Sequence, residues 1–122
     1  MAQTYTVSGQ IVLSNNNLRN IVTLSENVTT SGSNSLTNTA NIPTGSWTPI
    51  DQGSNSDFRF GYFTNLDATS SIWLALNNTS SFASFLQPGD LSIITNSGTA
   101  SLYAKATGSN SPALLQYILI EK

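Results

Sequence analysis

The chain alternates short apolar runs with clusters of Gly, Pro, Asn, Asp and Ser. No apolar period of 3.6 residues is sustained anywhere, so the pattern is one of strands and turns. The clearest signals lie in the C-terminal half. Ile72-Trp73-Leu74-Ala75-Leu76 is followed by Phe85-Leu86-Gln87-Pro88-Gly89-Asp90, where Pro fixes φ, Gly accepts the positive φ of a type II turn and Asp can bond nearby backbone. Apolar runs at 91–94, 101–106 and 114–120 add three strands, and this half is expected to form an antiparallel sheet that holds the core. Ile72, Leu74 and Leu76 should share a buried face, as should Leu102, Ala104 and Ala106. The last run is apolar on both sides, which puts it at the centre of a sandwich or at a subunit interface.

Upstream, Tyr5, Val7, Gly9, Ile11 and Leu13 alternate with Thr4, Thr6, Ser8 and Gln10, predicting a half-buried strand bent or bulged at Gly9. Residues 14–17 turn the chain into a second strand over 21–28, with Val22, Leu24 and Glu26 on one side. The stretch 29–39 is polar except for Leu36 and reads as a long exposed loop or a poorly packed edge hairpin. Pro49 confines 46–50 to an edge or a strand end. In 58–63, Phe58, Phe60 and Tyr62 fall on one side and Arg59, Gly61 and Phe63 on the other. Phe82, Phe85 and Leu86 have the spacing of a short helical turn over 80–85. About eight or nine short strands, with turn signals every 8–12 residues or so, predict an all-β antiparallel sandwich, and the length suits a single domain spanning 1–122.

Composition sharpens the picture. Only 8% of the residues are charged, against roughly 25% in an average domain, while Ser, Thr and Asn make up roughly two-fifths of the chain. Two Trp, four Tyr and five Phe supply material to bury, which separates the chain from soluble disorder. The net charge is −2 and the cations are Arg19, Arg59, Lys105 and Lys122, too few for a phosphate-binding face. Nucleic acid and anionic membranes are therefore not expected partners. No apolar run approaches a membrane-spanning length and the N-terminal stretch lacks a signal-peptide pattern, so the expected place of synthesis and folding is a cytoplasm.

The candidate chemistry is thin. With no His and no Cys, the commonest general base, the thiol nucleophile and the usual transition-metal ligands are missing. Lys105 alternates with Leu102, Ala104 and Ala106 and reads as a solvated strand lysine. Asp51, Asp57, Asp67 and Asp90 stand at turns, where Asp bonds local backbone, which leaves Glu26 as the one acid inside a strand pattern and Glu121 near the end. A carboxylate pair for glycoside hydrolysis is not expected. The 51–57 loop has oxygen donors at Asp51, Asn55 and Asp57 at alternate positions. It lacks the sixth-place Gly and terminal Glu of a calcium loop, so it reads as a plain loop. Asn27, Asn77 and Asn78 match the glycosylation pattern, as chance predicts in so Asn- and Thr-rich a chain. Trp47 and Trp73 suit an interface or core, or stacking on a sugar ring. No enzyme activity, cofactor or metal is expected.

Phe85-x-x-Pro88-Gly89-Asp90, Leu102-Tyr103-Ala104-Lys105-Ala106 and Leu115-x-Tyr117-x-Leu119-x-Glu121 together resemble the small β-sandwich virion proteins of tailed bacteriophages, namely head decoration or cement proteins and the related heads of fibres. The resemblance implies a jelly-roll-like sandwich, commonly a homotrimer, that binds the major capsid protein or another virion protein without catalysis. Leu114, Tyr117, Ile118, Ile120, Trp47 and Trp73 are the expected interface residues. The alternative is a fibre or lectin-like module that binds a host receptor or glycan.

Overall fold

The computed structural model describes residues 3–15, 18–30, 35–53, 58–80, 82–95, 101–108 and 112–121. They form ten strands joined antiparallel, with no helix among them. By internal packing the chain divides into two compact units, 1–33 and 34–122.

The first unit is a two-stranded ribbon. β1 (Gln3–Asn15) and β2 (Leu18–Thr30) pair without interruption from Gln3↔Thr30 to Asn15↔Leu18. The bulge expected at Gly9 does not form, since Gly9 pairs in register with Leu24. Side-chain bonds tie the strands across one face, with Thr6 donating to Asn27 at 3.1 Å and the Thr4 and Thr29 hydroxyls 3.3 Å apart.

The second unit is a jelly-roll-like β-sandwich. Its strands are β3 (Ser35–Ile42), β4 (Thr48–Pro49), β5 (Phe58–Asn65), β6 (Ser71–Leu76), β7 (Phe82–Leu86), β8 (Leu91–Thr95), β9 (Leu102–Thr107) and β10 (Ala113–Glu121). They lie in two four-stranded sheets of order β3-β10-β5-β8 and β4-β9-β6-β7. Every connection except β6 to β7 passes from one sheet to the other, the double-sheet winding of a jelly roll. The strands of 72–120 are therefore shared between both sheets and do not form the one sheet that the sequence suggested. β10, apolar on both sides, is a central strand.

The core lies between the sheets. Ile42, Leu115, Tyr117, Leu119 and Phe63 from one layer meet Ile72, Leu74, Leu86, Leu102, Ala104 and Ala106 from the other. The predicted buried faces of β6 and β9 are present, with Leu76 packed at the margin of the core. Three expectations are corrected. First, 35–39 is neither loop nor hairpin: it opens the edge strand β3, whose Leu36 packs on the core while the alternate residues face water. Second, Phe82 to Leu86 is a strand and not a helical turn, because its backbone pairs with β6, with a register shift between Leu74 and Ala75. Third, Phe58 does not share a face with Phe60. A bulge opposite Ile120 and Glu121 skips Arg59 in the pairing, so Phe58 joins Phe63 in the core cluster.

Two local devices set the geometry. A Cβ on Gly61 would lie 2.7 Å from the Phe63 ring, so the missing side chain is what lets that ring lie back and stack on Tyr117, 6.5 Å between centroids. At the end of β5, the buried Asn65 side chain donates to the carbonyls of Ser70 (2.8 Å) and Leu86 (3.1 Å) and accepts from the Asp67 amide (2.9 Å). Its backbone bonds both Asp90 and Gly89, which fastens the Pro88-Gly89 turn to β5. That turn has the predicted form: Gly89 has φ 83° and the Asp90 amide donates to the Gln87 carbonyl at 2.9 Å.

Candidate functional site

Because Ile72, Leu74, Leu102, Ala104 and Ala106 point into the core, the alternate residues of β6 and β9 point outward. Lys105, Trp73 and Phe85 pair in register across β9, β6 and β7 and form one outward row. Trp47, just before β4, and Phe82, at the start of β7, close over it. The Phe82 ring lies 5.7 Å from Trp47 and 4.6 Å from Trp73, and Phe85 lies 4.3 Å from Trp73. The Lys105 ammonium sits 5.0 Å above the Trp47 ring. Each aromatic contact adds about 0.5–1.5 kcal/mol beyond area burial, so the cluster is pre-packed before any partner arrives. Both tryptophans are half-buried, whereas Phe82 is 58% and Phe85 41% exposed. The rings most open to water are thus the phenylalanines.

The other sheet has an apolar outer face of its own. Ile118, Tyr62 and Ile93 form one cross-strand row, and Gln116, Thr64 and Leu91 the next. Leu91 is 59% exposed and Ile93 41%. The six expected interface residues therefore separate into three groups. Trp47 and Trp73 come together on one sheet. Leu114, Ile118 and Ile120 lie on the outward side of the other, with Ile120 itself buried. The Tyr117 ring is wholly inside the chain's own core, where its hydroxyl donates to the Asp51 carbonyl at 2.7 Å and accepts from the Asn38 amide at 3.3 Å. Burial pushes its phenol above the ordinary tyrosine value, against the pull of the Asn38 bond and with a small push from the Asp51 charge.

Sequence reasoning missed Phe82 and Phe85 because it gave them a helical spacing. The available signal was Trp73 itself, a large ring on the outward side of a strand, which asks for neighbours across the sheet.

Three aspartates are occupied by local backbone. Asp51 Oδ1 accepts from the Gly53 amide at 2.8 Å, and Asp90 Oδ2 from the Gln87 amide at 3.1 Å. Asp67 accepts from the Ser70 and Thr69 amides, and these bonds hold its carboxyl below the usual carboxylate range. No group of three or more acids gathers as a metal cage among the described residues. Residues 54–57 of the candidate calcium loop, including Asp57, lie outside the described residues, as does the Glu26 side chain. Asn27, Asn77 and Asn78 are exposed. Compared with known protein families, with characterised proteins and with solved structures, the chain matches none.

Proposed function

We propose that the protein is a non-enzymatic virion component, a decoration or cement protein that binds the head of a tailed bacteriophage as a homotrimer and stabilises it. One observation carries this reading: the small sandwich keeps apolar side chains exposed on the outer faces of both its sheets, at Phe82 and Phe85 on one and at Leu91 and Ile93 on the other. Soluble monomers seldom leave large apolar patches open, and patches of this kind mark protein contacts. A subunit seated on a capsid surface beside other virion subunits has a use for two such faces. The jelly roll, which serves in capsid and lectin domains alike, is compatible with the reading but does not select it. The resemblance of 85–90, 102–106 and 115–121 to decoration proteins adds to it.

The aromatic cluster favours a second reading, a fibre head that stacks on host glycans. The half-burial of Trp47 and Trp73 weighs against this, because sugar rings need an open aromatic face and the best exposed rings here are phenylalanines.

The test uses particles stripped of the protein. They are expected to release their genome at lower temperature or milder osmotic shock, and to regain resistance when the protein is added back. Binding should depend weakly on salt, since the contact is apolar and hydrogen-bonded. Replacing Phe82 and Phe85 together by Ser should weaken binding to stripped heads at least about tenfold, as a pair of interface anchors does, while leaving the fold intact. Unchanged particle stability with lost host adsorption would transfer the protein to a fibre, and no change in either would overturn both readings.

A further inference from the structure

The ribbon formed by β1 and β2 exposes large apolar side chains at Ile11, Val12, Leu13, Ile21 and Val22. Its two outer edges have no strand beside them among the described residues. One side carries Tyr5, Val7, Ile11, Leu13 and Val22, of which Ile11 and Leu13 are about 60% exposed. The opposite side carries Thr4, Thr6, Ser8, Gln10, Ser25, Asn27 and Thr29, with one apolar pair, Val12 and Ile21, near the turn. Natural edges are usually blunted by Pro, by Lys or by shortness. Residues 1–33 contain no Pro and no Lys, and the strands are 13 residues long. A lone two-stranded ribbon is marginally stable at best.

The geometry points to the same ribbon in two further copies of this chain as the occupant: three ribbons close edge to edge into a six-stranded barrel, apolar side inward and Thr/Ser/Asn side outward. The inference rests on the reading of the protein as a homotrimer and says how the copies join. Area supports it. At about 3.4 Å per residue the ribbon is about 44 Å long, and at about 4.8 Å between strands about 10 Å wide, so each face offers on the order of 400 Å². A stable interface takes about 800 Å² from each partner. Laying one face on a foreign surface supplies half of that and leaves both edges open. A ring covers the face and both edges with one repeated contact, β1 of each copy against β2 of the next, and the closure leaves no edge for further addition. Two copies would supply only four strands, too few to close round an apolar interior, and three supply six.

The experiment is sedimentation of the full chain at micromolar concentration, with near-ultraviolet dichroism of Trp47 and Trp73 as a check that the sandwich is folded. The native chain is expected to sediment as a trimer. Ile11→Asn with Val22→Asn should yield a folded monomer, and Val12→Thr with Ile21→Thr should leave the trimer. A native monomer overturns the inference, as does an Ile11/Val22 variant that stays trimeric or a Val12/Ile21 variant that falls apart. Binding of the folded monomeric variants to stripped heads is read separately, so the barrel can fail while the decoration reading stands, and the reverse.

Discussion

The ribbon and the sandwich are written in the same alternating code, yet only one of them is finished by its own residues. In the sandwich each sheet's apolar side finds the other sheet, and Phe58, Phe63, Leu74, Leu115, Tyr117 and Leu119 lose all contact with water. Three of its four edge strands are short, five residues in β7 and β8 and two in β4, which carries Pro49. In the ribbon the alternation is as regular, but Ile11, Leu13 and Val22 stay exposed. Alternation therefore fixes which side of a strand is apolar, and burial depends on whether a second layer exists to cover it.

The largest expected difference between the two regions comes from truncating one leucine in the core. Leu74→Ala should destabilise the sandwich by roughly 2–5 kcal/mol in urea titration, whereas Ile11→Ala should leave sandwich unfolding within about 0.5 kcal/mol of the native value. Equal losses at the two sites would show that the units do not unfold separately. Next comes Asn65→Ala, which strips a donor from two buried carbonyls at once and should cost roughly 1–3 kcal/mol. It should also speed amide exchange in the 87–90 turn, a local effect with no counterpart in the ribbon.

A smaller effect is expected at the Tyr117 hydroxyl. Tyr117→Phe should cost about 1 kcal/mol through the bonds to Asp51 and Asn38. Its raised pKa has a definite sign: the contribution of the protonated phenol is complete below the ordinary tyrosine value and is lost as pH rises above it. The sandwich should thus lose stability at alkaline pH, and the Phe variant should lose less of its remaining stability over that range. The smallest effect belongs to Asp67. Its lowered pKa makes its contribution complete above the ordinary carboxylate value and lost as pH falls below it, so Asp67→Asn should flatten the acid limb of the stability profile slightly.

Much of the sandwich was legible in the sequence. The alternation of Ile72, Leu74 and Leu76 against Trp73, the Pro88-Gly89 turn and the doubly apolar 114–120 run each had one sensible structural answer. What could not be read was which sheet each strand joins, because a turn looks the same whether it links neighbours or crosses the sandwich. Parity also misled wherever a bulge intervened: the skipped Arg59 moved Phe58 to the core side, and the shift between Leu74 and Ala75 hid Phe82 from the aromatic row. Leu36, alone in a polar stretch, gave too little apolar signal to mark an edge strand. Half of the candidate site, Trp47 and Trp73, was visible as residues. Their meeting through Phe82 was not, since it depends on three strands coming side by side.

The aromatic row has a practical corollary for anyone following this protein in solution. Both tryptophans of the chain stand in that row, on one side of one sheet. Intrinsic fluorescence is consequently a sided reporter. A ligand or neighbour that settles over Phe82 and Phe85 will drive water from the indoles and move their emission to the blue. One that settles on Leu91 and Ile93, on the outer face of the other sheet, will leave the spectrum unchanged however tightly it binds. Emission wavelength and sedimentation, recorded on the same sample, thus separate which face has been covered from how many chains have come together.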